Sequence, residues 1–334
     1  MKKIGHIIAA RKDTVELLNV ALAHEWAVSF EYLLHAYSMP KAKFFYDDPV
    51  MKHRMDVRAQ TIQIGIDEMY HALQLGIIIT QMGSVPTFKT DDVIRYPKII
   101  DNLKRDKTTE DQVTDLYQSA LFKKGLFPKV LNMILNISYD EVRHSKQFEV
   151  MIEALEKHGH AQALCFSTNP EIDGRSEVAL LHDIMRLENE IMHRYLKDVI
   201  LFSDHQDLSQ RLFKNCINHM RHWDKNSGLL VKMGTVVRIE NAEKQPGGEE
   251  KSLRPMPVSY PGRSRLSALK TLVPAEQNLI AKYEQLTAMM PEGEIKDQLR
   301  LNLALKREHL FTQEWLLADA RKIKGLDEGS ERHA

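Results

Sequence analysis

Two stretches of the sequence decide the fold: IDEMYHA over residues 66–72 and DEVRH over residues 140–144. Both contain a Glu-x-x-His motif, which pairs Glu68 with His71 and Glu141 with His144. Residues three apart lie on the same face of an α-helix, so each motif presents a carboxylate and an imidazole side by side. A single motif arises often by chance, but two on different helices predict a metal site inside a helical bundle.

Helical periodicity extends outward from both motifs, with little of the alternation that is typical of strands. Four helices are predicted in the first half, over residues 14–37, 50–82, 109–123 and 127–158. Thr109 and Gln112 have the spacing of a capping box at the start of the third helix, and Pro128 is favourable at the start of the fourth. Residues 84–107 then form a long crossover between the second and third helices, which is typical of one class of bundle.

The second half of the chain repeats this pattern. Four more helices are predicted over residues 177–202, 208–233, 274–290 and 294–324, with a linker rich in Gly, Pro and charge over 235–265. Several residues recur at constant spacing within matching helices: Ile66, Met69, His71, Met82 and Gly83 as Ile217, Met220, His222, Met233 and Gly234; Glu25 and Tyr32 as Glu188 and Tyr195; Gln112, His144 and Glu149 as Gln277, His309 and Glu314. We therefore predict an all-α protein of two related four-helix bundles in tandem, over residues 1–160 and 175–334.

Two further carboxylates are candidates for the metal site. Glu25 lies in the apolar stretch 21–30, so its side chain is expected to face the bundle interior. Counting residues from the interhelical turns puts Glu25 level with Glu68, and puts Glu110 level with Glu141. An acidic residue in the first turn of a helix is also favoured by the helix dipole, so the position of Glu110 has a second explanation.

Charge balance favours a fourth anion at this site. Two divalent ions carry four positive charges, and three of the glutamates neutralise only three; Glu110, Asp111 or a bridging hydroxide could supply the fourth. Buried carboxylates are costly unless they are compensated, and a pair of metal ions removes that cost. The predicted ligands are Glu25, Glu68, His71, Glu110, Glu141 and His144.

These residues resemble the bacterioferritin family and its relatives over about residues 14–156. Residues 18–36 resemble the first helix of that family, and the two opening stretches resemble its second- and fourth-helix motifs. The resemblance implies two ferritin-like four-helix bundles and, in the first, a site for two iron ions held by Glu25, Glu68, His71, Glu141 and His144. Manganese suits the same ligand types. The doubled chain, the short third helix and the lack of the extra short helix of cage-forming ferritins make a storage shell unexpected.

The same resemblance suggests a haem site. In bacterioferritins a Met of the second-helix motif binds haem between two subunits, and Met69 and Met220 hold that place in the two halves. Methionine at helical spacing more often fills gaps in a core, however, so haem is the less favoured interpretation.

The second half has a weaker metal-binding pattern. Lys306 falls at the position that Glu141 holds in the first half, and a positive side chain there opposes a two-metal site. Three imidazoles and a carboxylate could still hold one ion such as zinc or iron. We favour a degenerate half that only supports the first over a single-metal site built from Glu188, His219, His222 and His309.

The predicted site favours redox chemistry. The leading hypothesis is an O₂-dependent di-iron oxidase or oxygenase that acts on a small organic substrate held beside Trp26, Phe30 and Tyr70. One alternative is a ferroxidase or peroxide-detoxifying protein, for which iron or H₂O₂ is the substrate. The other is a non-catalytic binding protein that keeps the helices without the chemistry.

The composition excludes several other classes of protein. The 46 basic and 46 acidic residues balance, which removes a general electrostatic case for binding nucleic acid or an anionic membrane surface. Two cysteines, Cys165 and Cys216, are typical of a reducing compartment. The chain has neither the apolar stretch of a secretory signal nor an uncharged run long enough to span a membrane. We expect a soluble cytoplasmic monomer or homodimer whose partners are O₂ or peroxide and a small molecule.

Overall fold

The fold is all-α, as predicted, with only short strands between some of the helices. The computed structural model describes residues 2–50, 52–90, 92–121, 126–165, 169–238, 243–244, 250–252 and 265–323. In the first half the elements are α1 (Lys2–Tyr37), β1 (Phe45–Asp47), β2 (Arg54–Asp56), α2 (Val57–Gln81), β3 (Val93–Arg95), α3 (Ile99–Leu121) and α4 (Pro128–Lys157). In the second half they are α5 (Pro170–Asp173), α6 (Ser176–Leu201), α7 (Gln206–Met233), β4 (Glu243–Lys244), β5 (Glu250–Ser252), α8 (Arg265–Met289) and α9 (Glu294–Ala320).

The chain divides into two compact units, and the division differs from the predicted domains 1–160 and 175–334. The first unit comprises Met1–Ser167 with Ile239–Pro255, and the second comprises Thr168–Arg238 with Met256–Ala334. Residues 239–255 belong to the first unit because β5 pairs antiparallel with β3, which places Val93 opposite Ser252. Strand β4 pairs with the other edge of β5. The predicted linker over 235–265 therefore supplies two strands to the first unit.

Four long helices pack together in each unit. In the first, α1 packs on α2, α3 packs on α4, and the two pairs meet through α1 with α3 and α2 with α4. In the second, α6 packs on α7 and α8 on α9, with α6 against α8 and α7 against α9. Most of the long helices bury one face against their neighbours, whereas α1 is buried on all sides from Glu25 to its end at Tyr37. Such packing stabilises helices more than intrinsic propensity alone.

The two helices that carry the Glu-x-x-His motifs, α2 and α4, each begin where they do for a local reason. α2 begins at Val57 instead of residue 50 because the preceding residues pair as β2 with β1. The Asp56 carboxylate then caps the helix by accepting a hydrogen bond from the Ala59 amide at 2.8 Å. α4 begins at Pro128, whose missing amide hydrogen is harmless in the first turn.

The predicted start of the third helix is wrong. α3 begins at Ile99, so Thr109 lies well inside the helix and is not a cap. Its hydroxyl donates to the Arg105 carbonyl at 2.9 Å instead of capping the chain. Glu110 therefore sits in the middle of a full-length helix, which removes the helix-dipole explanation for its position.

The predicted start of α8 is also wrong, because this helix begins at Arg265 instead of residue 274. Pro274 lies inside this helix, and Leu266, Leu269 and Leu272 before it are buried along one face. Apolar burial at helical spacing therefore outweighs the loss of one backbone hydrogen bond at the proline. Among the described residues, no helix combines the length and apolarity that crossing a lipid bilayer requires.

Candidate metal centre

Six ionisable side chains converge in the interior of the first unit, and every long helix contributes. Glu25 comes from α1, Glu68 and His71 from α2, Glu110 from α3, and Glu141 and His144 from α4. Each residue is at most 3% exposed. They are thus core residues, although surface charge is the usual role for glutamate.

The six side chains form two overlapping groups of ligands. One group contains Glu25, Glu68, His71 and Glu141, and the other contains Glu68, Glu110, Glu141 and His144. Within each group the candidate ligand atoms all lie within 4.8 Å of one another. Glu68 and Glu141 belong to both groups, so the geometry defines two adjacent positions that share two carboxylates. Each position is completed by one further Glu and one His.

The two imidazoles approach the shared carboxylates from opposite sides. Nδ1 of His71 lies 2.8 Å from Oε2 of Glu68 and 3.0 Å from Oε1 of Glu141. Nδ1 of His144 lies 2.7 Å from Oε1 of Glu68. The rings stack at 28° with their centroids 6.0 Å apart. Both histidines therefore present Nδ1 to the centre of the cluster and leave Nε2 facing outward.

Two aspartates hold the outward nitrogens. Nε2 of His71 is 3.5 Å from Oδ2 of Asp140, and Nε2 of His144 is 3.3 Å from Oδ2 of Asp67. Arg143 joins the two aspartates, because its guanidinium lies 3.1 Å from each carboxylate. A carboxylate on the outer nitrogen sets the tautomer and orientation of a metal-binding imidazole. These partners were missed, although Asp precedes Glu in both motifs.

The fourth carboxylate of the cluster is that of Glu110. Neither carboxylate oxygen of Asp111 belongs to the cluster. Asp111 is directed away, where it accepts hydrogen bonds from Lys107 at 2.8 Å and Ser145 at 2.6 Å. On the opposite side of the cluster, the Tyr117 hydroxyl donates a hydrogen bond to Glu25. Tyr117 was also missed, because only the fold brings this tyrosine of α3 to α1.

In the absence of metal ions, the buried carboxylates of the cluster repel one another, and this changes their pKa values. Burial and the neighbouring Glu68 raise the pKa of Glu25 well above its ordinary value, and the same two causes raise the pKa of Glu110. Burial and Glu68 also raise the pKa of Glu141 to about 8. Although burial opposes it, Glu68 raises the pKa of His144 to about 9. Three of the four carboxylates therefore hold their protons more tightly than usual, whereas His71 and His144 lower the pKa of the fully buried Glu68 against the effect of burial. Bound cations can take over the compensation of these charges.

Unpaired atoms show that the donor set fits metal ions. Both carboxylate oxygens of Glu110 and Oε2 of Glu25 are buried without a hydrogen bond from any described residue. Buried polar atoms are normally paired, so this concentration is unusual. Carboxylate oxygen and imidazole nitrogen are ligands for iron, manganese and zinc. The described residues could therefore hold metal ions here.

A third group of ligand-type side chains, Glu31, His35 and Asp106, has a different role. Glu31 accepts hydrogen bonds from the Ile94 amide at 2.8 Å and from Arg105 at 3.1 Å. His35 joins Asp106 at 2.8 Å and the Ile94 carbonyl at 2.7 Å. These contacts tie the crossover strand β3 to the bundle, and they already occupy the groups that a metal would need.

The second unit places six side chains at the equivalent positions: Glu188, His219, His222, Glu276, Lys306 and His309. The place of Glu110 belongs to Glu276, which is 0% exposed. The correspondence follows from Tyr283, whose hydroxyl donates to Glu188 at 2.6 Å just as Tyr117 donates to Glu25. Aligning Gln112 with Gln277 is off by one residue, so the sequence comparison missed Glu276.

In the second cluster, side chains of the protein itself pair with the buried carboxylates. Nζ of Lys306 lies 2.6 Å from Oε2 of Glu188. His219 joins Glu188 through Nδ1 at 2.6 Å and Glu276 through Nε2 at 2.7 Å. Although burial opposes it, Glu276 raises the pKa of His219, which favours an imidazolium between two carboxylates. The two carboxylates of this cluster are therefore paired with a lysine and a histidine of the protein itself.

The possible metal site at Glu188, His219, His222 and His309 is not assembled as a ligand group. Within the described ranges, every set of three or more ligand atoms lying close enough to hold an ion belongs to the first unit. The reason is Lys306, which is fully buried and bonds to the carboxylate that a metal would need. His222 and His309 instead stack at 5.4 Å, and burial lowers the pKa of His309 to about 3.

The remaining predicted residues are placed as follows. Met69 and Met220 are both buried, each within its own unit, and the haem site stays a prediction. Trp26 and Phe30 are buried, whereas Tyr70 is 45% exposed and does not line an interior cavity.

Comparisons of the chain with protein-family models, curated proteins and solved structures gave no match. The class of site is therefore defined by its geometry: a buried cluster of Glu and His that could hold metal ions.

Proposed function

We propose that the first unit is a ferritin-like di-iron carboxylate centre that activates O₂ to oxidise a small organic substrate. The observation that carries the proposal is the sharing of Glu68 and Glu141 between two ligand groups. Two metal positions with two common carboxylates suit a pair of ions held close together, and a four-helix bundle is a known frame for such pairs. Manganese is compatible with the same ligands.

Charge supports a pair of divalent ions over a single ion. The four glutamates carry four negative charges when ionised, which two divalent ions neutralise. One divalent ion would leave two buried carboxylates uncompensated, and such groups cost several kcal/mol each. The tetrad of glutamates thus matches the charge of two ions.

Each side chain has a distinct part in this proposal. Glu68 and Glu141 would each contribute to holding both ions, while His71 and His144 would each hold one of them through Nδ1. Asp140 and Asp67 hold the outer nitrogens of these imidazoles, as their 3.5 Å and 3.3 Å separations indicate. When bound, an iron pair supplies electrons for the reduction of O₂.

The role of Tyr117 is to orient a terminal ligand. Its hydroxyl donates to one oxygen of Glu25 and leaves Oε2 of that carboxylate directed toward the cluster. This arrangement keeps one oxygen of Glu25 available for a metal ion. The equivalent pair in the second unit, Tyr283 with Glu188, keeps the same geometry around a lysine.

The test measures metal content and O₂ consumption of the full chain after anaerobic loading with Fe(II). We expect about two iron ions per chain, O₂ uptake and the visible absorption of a bridged ferric pair. Glu68→Ala removes a ligand from both positions and is expected to abolish all three signals. Glu153→Ala removes an exposed carboxylate from α4 and is expected to change none of them.

A second variant separates loss of metal from loss of fold. Burial and the neighbouring Glu68 raise the pKa of Glu110 well above its ordinary value, which favours the neutral acid in the metal-free protein. Glu110→Gln resembles that neutral acid and should leave the melting temperature of the metal-free protein unchanged, while reducing its iron content. Wild-type protein that binds no iron, or iron content that survives Glu68→Ala, would refute the proposal. Repeated turnover of Fe(II) beyond the bound pair, or turnover of peroxide, without any organic substrate would instead favour the ferroxidase or peroxide-detoxifying alternative.

A further inference from the structure

A cavity of about 710 Å³ opens on the face of the second unit formed by α7 and α9. Pockets that bind small molecules have volumes of about 300–1,000 Å³, so this one is large enough for a ligand. Its floor includes His309, which is 7% exposed and whose Nδ1 has no hydrogen-bond partner among the described residues. A buried imidazole therefore forms part of the floor of a space of ligand size.

Positive side chains dominate the wall of this cavity. Four basic residues line it, Arg211, Lys214, Arg221 and Lys225, against the single acidic residue Glu308. Arg211 is 3.6 Å from Asp319. The other three basic groups have no carboxylate within 4.0 Å in the part of the chain that the structure describes. Cations held around one opening without their own counter-ions favour an anionic ligand, particularly a carboxylate or phosphate.

Two aromatic side chains extend the cavity on its outer side. Phe311 is 62% exposed and Trp315 is 61% exposed, and both line the opening. Large aromatic residues at this level of exposure are unusual on a surface without a binding role. They offer flat apolar faces for the carbon skeleton of a ligand.

On the equivalent face of the first unit, charged side chains cover the outer edges of the two ligand histidines. There Arg143 joins Asp67 and Asp140 across the outer edges of the two ligand histidines. At the equivalent positions the second unit has Glu308, Asn218 and Leu305, so this bridge cannot form. All three of these replacements line the cavity. The charged cover over the histidines of the first unit is thus an opening in the second.

We propose that this cavity binds a small organic anion, with the basic side chains contacting its carboxylate or phosphate group and Trp315 and Phe311 contacting an apolar ring. Lys214, Arg221 and Lys225 supply the attraction and the hydrogen bonds to the anionic group. The ring of His309 forms part of the floor. The site is separate from the metal centre, since all of its residues belong to the second unit.

The experiment is calorimetric titration of the full chain with four probes: phenyl phosphate, benzoate, inorganic phosphate and benzyl alcohol. Saturable binding of phenyl phosphate or benzoate at millimolar concentration is the expected result. Inorganic phosphate is expected to bind about tenfold more weakly because it lacks the ring. Benzyl alcohol is expected not to bind because it lacks the charge. The tighter of the two aromatic anions identifies the headgroup, and either supports the proposal.

Variants locate the binding site. Arg221→Gln combined with Lys225→Gln should weaken binding of the aromatic anions by at least about tenfold. Trp315→Ala should weaken their binding but leave that of inorganic phosphate unchanged. Lys270→Gln, which removes an exposed cation of α8 outside the cavity, serves as the matched control. The iron content of every variant should equal that of the wild type.

Two results would overturn the proposal. One is the absence of saturable binding by both aromatic anions. The other is binding that the double variant and Lys270→Gln weaken equally, which would assign the attraction to overall charge. Neither result bears on the metal centre, whose own test is iron content.

Discussion

The two units hold six side chains at equivalent points of the same helical frame, yet they balance buried charge in different ways. The first has four carboxylates and two imidazoles, and the second has two carboxylates, three imidazoles and a lysine. The differences fall at Glu68 and Glu141, which correspond to His219 and Lys306. These are the two carboxylates shared by both ligand groups. Replacing the two shared carboxylates by a histidine and a lysine pairs the remaining carboxylates with side chains of the protein itself.

The two units also share one hydrogen bond between a glutamate and a tyrosine of their helices. Glu25 and Glu188 each accept a hydrogen bond from a tyrosine of the third long helix of their unit, Tyr117 or Tyr283. The carboxylate of the first long helix is therefore retained whether or not the cluster resembles a metal site. A glutamate at this position is evidence for the frame, and the shared carboxylates are the better evidence for metal.

The largest expected effect is the conversion of the second unit into a metal site. His219→Glu with Lys306→Glu recreates the four-carboxylate, two-histidine set of the first unit. We expect the iron content of the full chain to rise above that of the wild type, toward twice its value. Elemental analysis measures the change.

His219→Gln with Lys306→Gln is the control for this conversion, because it removes both cations without adding carboxylates. It is expected to leave iron content unchanged. Equal iron content in the wild type and the double glutamate variant would show that the two shared positions do not control metal binding.

The next largest effect is the loss of a buried ion pair. Glu188→Gln leaves the fully buried Lys306 without its carboxylate, and breaking such a pair costs about 3–5 kcal/mol. Although burial opposes it, Lys306 holds the pKa of Glu188 well below its ordinary value of 4.5. This stabilisation is therefore present above pH 4.5 and is lost as the pH falls through the lower folded-state pKa. Urea unfolding at neutral pH measures the cost.

Glu188→Gln with Lys306→Met removes both charges and should recover part of that stability. Iron content is expected to stay at the wild-type value in both variants. A cost below about 1 kcal/mol for the single variant, the range of an exposed pair, would contradict the buried pairing.

The smallest effect concerns the aspartates behind the ligand histidines. Asp67→Asn or Asp140→Asn is expected to weaken metal affinity by about 10–100-fold, as loss of such partners does at other metal sites. Competition with a chelator measures the affinity. Asn218→Asp restores the equivalent carboxylate in the second unit and should bind no additional metal, since Lys306 still occupies the cluster. Unchanged affinity in both aspartate variants would remove these residues from the site.

The ligand residues could be predicted because helical spacing alone brings them together. Glu68 with His71 and Glu141 with His144 follow from the three-residue interval, and Glu25 follows from its apolar neighbours. Glu110 was placed at the right level even though the start of its helix was wrong. Residues 101–108 are strongly polar, and the inward face of that segment is visible only once Leu103 and Asp106 are seen to be buried.

Other residues could not be predicted because they depend on contacts between helices. Asp67 lies on the helix of His71 but contacts His144, and Asp140 on α4 contacts His71. Glu276 was hidden by a one-residue change in the spacing between the halves. Pairing between strands β3 and β5, distant in sequence, likewise has no local signal.

That strand pairing makes the first unit discontinuous along the chain. β5 is the middle strand of its three-stranded sheet, in the order β3, β5, β4, and β3 itself is hydrogen-bonded to His35 of α1. A fragment that ends at residue 167 would lack β5 and leave β3 with an unprotected edge, which invites association with other chains. Dissection of this protein therefore calls for a circular permutation or a grafted strand instead of a cut at the midpoint.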